Sequence, residues 1–159
     1  MSDALVGMLE SLGVEFEIIA CDPALADTAQ FCEAYGYELE DSANTIVVAG
    51  KADPPVYVAC VVLGNTKLDV NKVVKKRLGV RGASFARPDV TEEITGMSIG
   101  GVTPFGLPSH LPLWVDSRVM DRDRIILGGG SRDRKVLVPP EILTAAGAVV
   151  VEGLAKVVP

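Results

Sequence analysis

The sequence lacks the residues that several common kinds of functional site require. Among 159 residues, His110 is the only histidine, and the three cysteines, Cys21, Cys32 and Cys60, are scattered. A two-histidine zinc motif is therefore impossible, and the cysteines do not have zinc-finger spacing. Their odd number also excludes a disulfide scaffold and favours a reduced, cytoplasmic environment. The sequence contains no P-loop, no G-x-G-x-x-G and no G-x-S-x-G nucleophile elbow.

Long apolar runs and an overall positive charge are also missing. The run Val56–Leu63 is far shorter than the ~20 residues that cross a bilayer, so we expect no membrane association. The segment Met1–Leu12 has no basic residues, which argues against a signal peptide. The net charge of −6 argues against a protein that coats duplex nucleic acid, and we expect no sequence-specific DNA binding.

The charge is strongly segregated along the chain. Residues 1–50 carry ten acidic and no basic residues, whereas residues 51–87 carry eight basic and two acidic ones. The predicted helix Asp69–Leu78 has an apolar stripe on one side and a basic face on the other. That face comprises Lys72, Lys75, Lys76 and Arg77. Two interpretations remain: a solvated helix face, or a surface for phosphates.

Hydrophobic periodicity predicts a mixed α/β fold. Valines number 23 and favour a core rich in β-sheet. The predicted helices are Ser2–Leu12 (with Ser2 as cap), Asp27–Tyr35 (with Asp27 as cap), Asp69–Leu78, Pro88–Thr95 and Pro139–Ala146. The predicted strands are Phe16–Ala20, Thr45–Ala49, Val56–Leu63, Leu113–Asp116, Arg124–Leu127, Lys135–Val138 and Ala148–Val151, with Thr45–Ala49 and Val56–Leu63 forming a hairpin.

Two glycine-rich segments are the strongest candidates for a site. They are Gly96–Pro108 and Gly128–Arg132. Glycine lets the backbone approach a ligand closely, and unobstructed N–H groups bind a phosphate or a developing oxyanion. Each segment taken alone is better explained as an ordinary turn.

Taken in order, the motifs resemble those of one family. The ordered set is N-T-I-V-V at 44–48, K-L-D at 67–69, G-G-V-T-P-F-G at 100–106, V-D at 115–116, G-G-G-S-R at 128–132 and L-V-P-P-E-I-L at 137–143. This order and spacing resembles the YbaK family, also called the prolyl-tRNA-synthetase-associated editing domain. The resemblance covers nearly the whole chain, and G-G-V-T-P-F-G is its most specific motif.

The resemblance implies a fold, an activity and partners. It implies one domain over residues 1–159, built on a mixed α/β fold with a curved, barrel-like sheet surrounded by helices. The implied activity is hydrolysis of mischarged aminoacyl-tRNA, with alanine or cysteine on proline tRNA, without a metal or other cofactor. The implied partners are the acceptor end of the tRNA and an aminoacyl-tRNA synthetase.

The resemblance also implies a set of site residues. Backbone N–H groups at Gly100 and Gly101 would stabilise the tetrahedral oxyanion, beside Asn44 and Thr45 on a strand. The remaining candidates, which would shape the pocket, are Thr103, Pro104, Phe105, Gly106, Gly128 and Gly129. Phe105 is equally interpretable as a core residue. We expect Asp69 to cap its helix, and Asp116 and Arg132 to be structural.

One position departs from the family pattern. The family places a lysine where this chain has Asn44, which carries no charge. Lys51 lies too far along the strand to replace it. Lys135 is the better candidate, although a solvated lysine at the end of a strand is the competing interpretation. Three functions therefore remain open: an active deacylase, a silent module that binds tRNA ends or nucleotides, and a hydrolase of another small ester.

Overall fold

The computed structural model describes residues 4–157 and contains short helices packed around antiparallel and mixed sheets. The helices are α1 (Ala4–Ser11), α2 (Thr28–Tyr35), α3 (Lys75–Leu78), α4 (Pro88–Thr95), α5 (Ser117–Met120) and α6 (Glu141–Ala145). The strands are β1 (Glu17–Ala20), β2 (Ala43–Gly50), β3 (Val56–Leu63), β4 (Thr66–Leu68), β5 (Ala83–Phe85), β6 (Leu113–Asp116), β7 (Ile125–Gly128), β8 (Arg134–Val138), β9 (Val149–Val151) and β10 (Ala155–Val157). Short 3-10 turns lie at Pro23–Leu25 and Leu39–Asp41.

The central sheet has the strand order β5-β2-β3-β6-β9. Strands β2 and β3 form the predicted antiparallel hairpin, while β6 is parallel to both β3 and β9. A second sheet has the order β1-β8-β7, and β10 pairs with β4. An isolated parallel bridge between Ser42 and Ile126 joins the beginning of β2 to β7.

The strands separate two apolar clusters that form most of the core. Leu9, Val61 and Val115 belong to one cluster, and Val48, Val62 and Val74 belong to the other. Consecutive residues of β3, such as Val61 and Val62, therefore contribute to opposite sides of the sheet. This explains why β3 is an almost continuous apolar run: both of its faces are covered.

The predicted helix Asp69–Leu78 forms with an irregular first half. Residues Val70–Val74 make a π-helical turn that continues directly into α3. Val74 N–H donates to the carbonyl of Asp69, five residues back. The Asp69 carboxylate accepts from Lys72 N–H at 3.1 Å, so Asp69 caps this helix as predicted.

The mixed α/β fold is confirmed, and the barrel-like curvature stays a prediction because the sheets of the described residues do not close into a barrel. Three-residue strands β4, β5 and β10 and the helix α5 were not predicted. The predicted cap Ser2 lies outside the described residues. No helix within residues 4–157 is long and apolar enough to cross a membrane.

Candidate active site

A cavity of about 430 Å³ lies where β2, the beginning of α2, the loop around Gly100 and the β7–β8 hairpin meet. Its polar lining comes from hydroxyl, amide and charged side chains. These are Asp27, Thr28, Ser42, Asn44, Thr45, Thr91 and Lys135. Its volume falls within the roughly 300–1,000 Å³ typical of small-molecule sites.

One wall of the cavity is an open strand edge. Strand β5 pairs with β2 only from Val48 to Gly50, and the lining includes residues 43–47, which lie beyond that pairing. Ala86 N–H donates to the carbonyl of Val47, so Val47 directs its peptide groups away from β3. Because strand residues alternate in this direction, Thr45 also turns its N–H and C=O toward the cavity. A ligand can therefore be held by main-chain hydrogen bonds.

Lys135 is the buried cation of the cavity. Its side chain, only 6% exposed, donates from Nζ to the carbonyl of Ala26 at 2.6 Å and to that of Gly100 at 2.9 Å. The ammonium also lies 5.7 Å from the centre of the Phe31 ring. Burial lowers the pKa of Lys135, with Cys21 opposing this effect and Arg132 adding to it. The alternative of a solvated lysine is therefore wrong.

The two glycine-rich segments lie against each other. Gly130 N–H donates to the carbonyl of Gly101 at 2.8 Å, and Arg132 Nη1 donates to that of Ile99 at 2.6 Å. A Cβ on Gly101 would lie 2.7 Å from the backbone carbon of Ser131. Both segments therefore need glycine to keep this close approach.

Among the glycines of the two segments, Gly128 leaves the least room for a Cβ. A Cβ there would lie 2.0 Å from the carbonyl oxygen of Val102, and Gly128 itself lines the cavity. Gly129 packs instead beneath Arg134, whose Nε donates to the Gly129 carbonyl. Gly128 therefore belongs to the cavity wall, and Gly129 supports the hairpin behind it.

The two predicted oxyanion donors differ in the structure. Gly101 N–H donates to the carbonyl of Ser98 at 2.9 Å, so that group is occupied. Gly100, with φ of 90°, lines the cavity, and among residues 4–157 its N–H has no acceptor. Of the two, Gly100 is therefore the donor without a partner among the described residues, and Gly101 permits the close approach of Ser131.

The strand positions Asn44 and Thr45 both line the cavity. The hydroxyl of Thr28, at the beginning of α2, is hydrogen-bonded to Asn44 Oδ1. Thr45 Oγ1 is buried and has no partner among the described residues. An unsatisfied buried hydroxyl is costly, so Thr45 Oγ1 is an exception among the polar atoms of the lining.

The second half of the G-G-V-T-P-F-G motif is separate from the cavity lining. Phe105 is 3% exposed and packs in the core with Leu5 and Leu9. Pro104 and Gly106 line a different hollow, of about 530 Å³, beside α1. Thr103 is buried, and its hydroxyl has no partner among the residues described. These four residues therefore shape the loop and not the cavity wall.

The basic helix face, His110 and the cysteines do not line the cavity. The basic face of the Asp69–Leu78 helix is exposed at Lys72, Lys76 and Arg77, and the Arg77 guanidinium lies 5.0 Å from the Trp114 ring. His110 is exposed and is not part of the cavity lining. The cysteines Cys21, Cys32 and Cys60 are free and buried. Residues 4–157 contain no cluster of three potential metal-ligating side chains.

The sequence did not identify Asp27 and Thr28 as site residues. Asp27 was predicted to cap α2, but its side chain makes no cap hydrogen bond and instead lies 3.5 Å from Arg132. Arg132 also donates to the carbonyl of Pro23 at 3.0 Å. Its predicted structural role agrees with these contacts, which tie the segment before α2 to the glycine-rich loops. No local pattern could have revealed contacts across this distance in sequence.

The mixed α/β fold thus holds a cavity lined by a buried lysine, polar strand residues and glycine loops. The class of protein comes from a family model, "Aminoacyl-tRNA editing domain", which matches residues 22–145. The chain therefore belongs to the aminoacyl-tRNA editing domain family, as its resemblance to YbaK-like proteins predicted. This places it among the hydrolases of tRNA editing and translation fidelity.

Curated relatives agree with this assignment at low identity. The chain is 26% identical to the uncharacterized protein YwhH of Bacillus subtilis (strain 168) over 130 residues, which covers 82% of this chain and 80% of YwhH. It is 25% identical over 136 residues to the multifunctional Ser/Thr-tRNA deacylase ProXp-y of Escherichia coli (strain K12). That match covers 84% of this chain and 80% of ProXp-y.

Solved structures share the fold. The protein APE2540 superposes with a TM-score of 0.86 at 23% identity, covering 97% of this chain and 100% of APE2540. A candidate trans-editing enzyme for prolyl-tRNA synthetase superposes with a TM-score of 0.80 at 24% identity, covering 98% of both chains. At these identities the likeness establishes the architecture alone.

Proposed function

We propose that this protein hydrolyses the ester bond of mischarged aminoacyl-tRNA, acting in trans. The observation that carries the proposal is the N–H of Gly100, which has no acceptor among residues 4–157 and lies in a loop that lines the cavity and is anchored by Lys135. An aminoacyl ester is already activated, so a positioned water is a sufficient nucleophile. A single oxyanion donor contributes about 3 kcal/mol in known enzymes.

The reaction is written with water as the nucleophile. The water oxygen bonds to the acyl carbon, and the carbonyl oxygen gains negative charge opposite Gly100 N–H. When the intermediate collapses, the bond from the acyl carbon to the ribose oxygen breaks. One water proton goes to that ribose oxygen and the other to solvent, which leaves a free amino acid and tRNA.

In this proposal Lys135 is a positioning residue. Its ammonium holds the Gly100 carbonyl, and thereby fixes the peptide unit next to the donor. It also gives the cavity a positive charge, which Asn44 does not supply. The absence of a lysine at position 44 is therefore compatible with activity, although Lys135 occupies a different position.

The substrate we expect is a small amino acid. Alanine or cysteine on proline tRNA is the substrate implied by the family resemblance. Serine is a second candidate because polar side chains, Thr28 and Asn44 among them, line the cavity. The relative ProXp-y is named a Ser/Thr-tRNA deacylase.

The tRNA body is assigned to the basic segment. Exposed Lys72, Lys76 and Arg77, with the half-buried Lys75, would meet acceptor-stem phosphates. An aminoacyl-tRNA synthetase that mischarges the tRNA is the expected further partner. Action on free tRNA during translation implies a cytoplasmic location.

A panel of alanyl-, cysteinyl-, seryl- and prolyl-tRNA tests the proposal. The panel is run with the wild type, Asn44→Lys, Gly101→Ala and Gly7→Ala. We expect hydrolysis of at least one mischarged species by the wild type and by Asn44→Lys. Gly101→Ala should abolish hydrolysis because its Cβ displaces Ser131. Gly7→Ala is the matched control, since Gly7 lies on α1 and a Cβ there would meet no atom within 4 Å.

Other outcomes would support the alternatives. Salt-sensitive RNA binding without turnover by any folded variant would indicate a silent binding module. Turnover of small aminoacyl or acyl nucleotides with no benefit from the tRNA body would indicate a hydrolase of another ester. Hydrolysis by Asn44→Lys alone would mean that the native protein is a binder.

A further inference from the structure

An exposed apolar patch lies at the mouth of the cavity. Phe85 and Ile99 both line the cavity, and they are 54% and 47% exposed. Neither side chain belongs to the apolar clusters formed by the residues that the structure describes. An aromatic ring half in water contributes little to the core, so its position calls for another explanation.

The backbone holds Phe85 firmly in this position. Strand β5 places Phe85 opposite Val48 on β2, and Ala86 N–H donates to the carbonyl of Val47 at 2.9 Å. The ring therefore lies where the pairing of β5 with β2 ends and the open edge of β2 begins. The three-residue strand β5, paired with β2, supports it.

Basic residues flank Phe85 along the chain. Arg87 follows two residues after Phe85, and its 80% exposed side chain lies 3.2 Å from the exposed carboxylate of Asp89. Arg81 is exposed just before β5. Both lie in the basic segment of residues 51–87. Sites for single-stranded nucleic acids combine such features: aromatic rings stack on bases, and basic side chains contact the backbone.

We propose that Phe85 stacks on a base of the single-stranded acceptor end and thereby guides the ester into the cavity, with Arg87 contacting a neighbouring phosphate. The assignment rests on the proposed deacylase function and identifies how that site holds its RNA. Phe85 is a positioning residue, since the reacting atoms lie further inside.

Binding of two RNA hairpins tests the proposal by fluorescence anisotropy. One hairpin carries an acceptor stem with a single-stranded CCA end, and the other has the same stem with a blunt end. The proteins are the wild type, Phe85→Ala, Phe85→Trp and the control Val150→Ala, which removes a 44% exposed side chain of β9. We expect Phe85→Ala to weaken binding of the CCA hairpin about tenfold.

The other comparisons make that result specific. Phe85→Trp should bind the CCA hairpin as tightly as the wild type does, because any flat ring can stack. Val150→Ala should leave binding unchanged, and Phe85→Ala should bind the blunt hairpin as the wild type does. Equal wild-type affinity for the two hairpins, or an equal loss on both in Phe85→Ala, would overturn the proposal.

Hydrolysis separates this proposal from the function on which it rests. If the wild type hydrolyses a mischarged tRNA and Phe85→Ala keeps the wild-type KM, the stacking role is wrong and the deacylase function stands. If Phe85 governs CCA binding but no aminoacyl-tRNA is hydrolysed, the deacylase function is wrong and the base-binding site stands.

Discussion

Two buried ionisable side chains, Lys135 and Asp116, occupy contrasting regions of the molecule. Lys135 is 6% exposed and Asp116 is 0% exposed. Burial disfavours the charged form of each, lowering the pKa of Lys135 and raising that of Asp116. In both cases desolvation favours the neutral form of the side chain.

Their surroundings differ. Lys135 lines the cavity, where it holds the carbonyls of Ala26 and Gly100. Asp116 does not line that cavity. Its Oδ2 lies 3.4 Å from Arg118 Nη1, which also donates to the carbonyl of Ala155. Lys135, which lines the cavity, is therefore the candidate for a functional role. Asp116, which links β6 to α5 within the core, is the candidate for a structural role.

The largest effect that we expect is the loss of hydrolysis when Lys135 is replaced. Lys135→Met should lower single-turnover hydrolysis about 100-fold, because the peptide next to the Gly100 donor loses its anchor. Because methionine also removes a charge that is costly to bury, the free energy of unfolding should change little. Near-wild-type hydrolysis by Lys135→Met would assign Lys135 to the structure alone.

Asp116 should show the opposite behaviour. Asp116→Ala should lower the free energy of unfolding by about 2 kcal/mol, since Arg118 and the backbone near Ala155 lose their acceptor. Hydrolysis per folded molecule should stay at the wild-type level. Urea unfolding with a parallel activity assay measures both, and a stable but inactive Asp116→Ala protein would contradict the structural role.

The pH dependence of stability should sharpen the contrast between these groups. The raised pKa of Asp116 contributes stability below the reference pKa of 3.8, and this contribution is lost as the pH rises through the folded-state pKa. The lowered pKa of Lys135 acts in an alkaline window. Its contribution is present above 10.5 and is lost as the pH falls through the folded-state pKa.

Unfolding curves across both windows check this expectation. Asp116→Asn should flatten the acid dependence alone, and Lys135→Met should flatten the alkaline dependence alone. The quantity compared is the difference between each variant and the wild type, because the raised cysteine pKa values also affect the alkaline curve. The reverse pattern would contradict the stated directions.

The smallest effect per side chain is expected from exposed charges. Replacing Lys72, Lys75 and Lys76 with glutamate should weaken binding of an acceptor-stem RNA and flatten its dependence on salt. Stability and hydrolysis of a small aminoacyl ester should not change. Arg77 is left intact because it packs on Trp114. Unchanged RNA binding would leave the solvated helix face as the correct interpretation.

Local patterns predicted elements that depend on local physics. Strands β3 and β6 and helix α4 have the predicted bounds. A continuous apolar run defines β3, and Pro88 and Gly96 mark the ends of α4, with Gly96 in the left-handed conformation. The missed strands β4, β5 and β10 are three residues long. Their formation depends on partners supplied by the tertiary fold.

The site was less predictable than the fold for the same reason. Asn44, Thr45, Gly100, Gly128 and Lys135 were expected at the site, and all line the cavity. The resemblance also implied Pro104 and Phe105 for the pocket, and neither lines this cavity, because Phe105 packs in the core and Pro104 lines a separate hollow. No local pattern indicates that Lys135 meets Ala26, because that contact exists only in the folded chain.

The contact between Lys135 and Ala26 joins residues 109 positions apart, and β1 pairs with β8 across a similar span. Loops of this size close slowly, and chains rich in such contacts fold more slowly than helical bundles. Hydrolytic competence should therefore return late during refolding from urea, after most helical signal has recovered. The cavity is a feature that nascent chains acquire only once β8 has been synthesised.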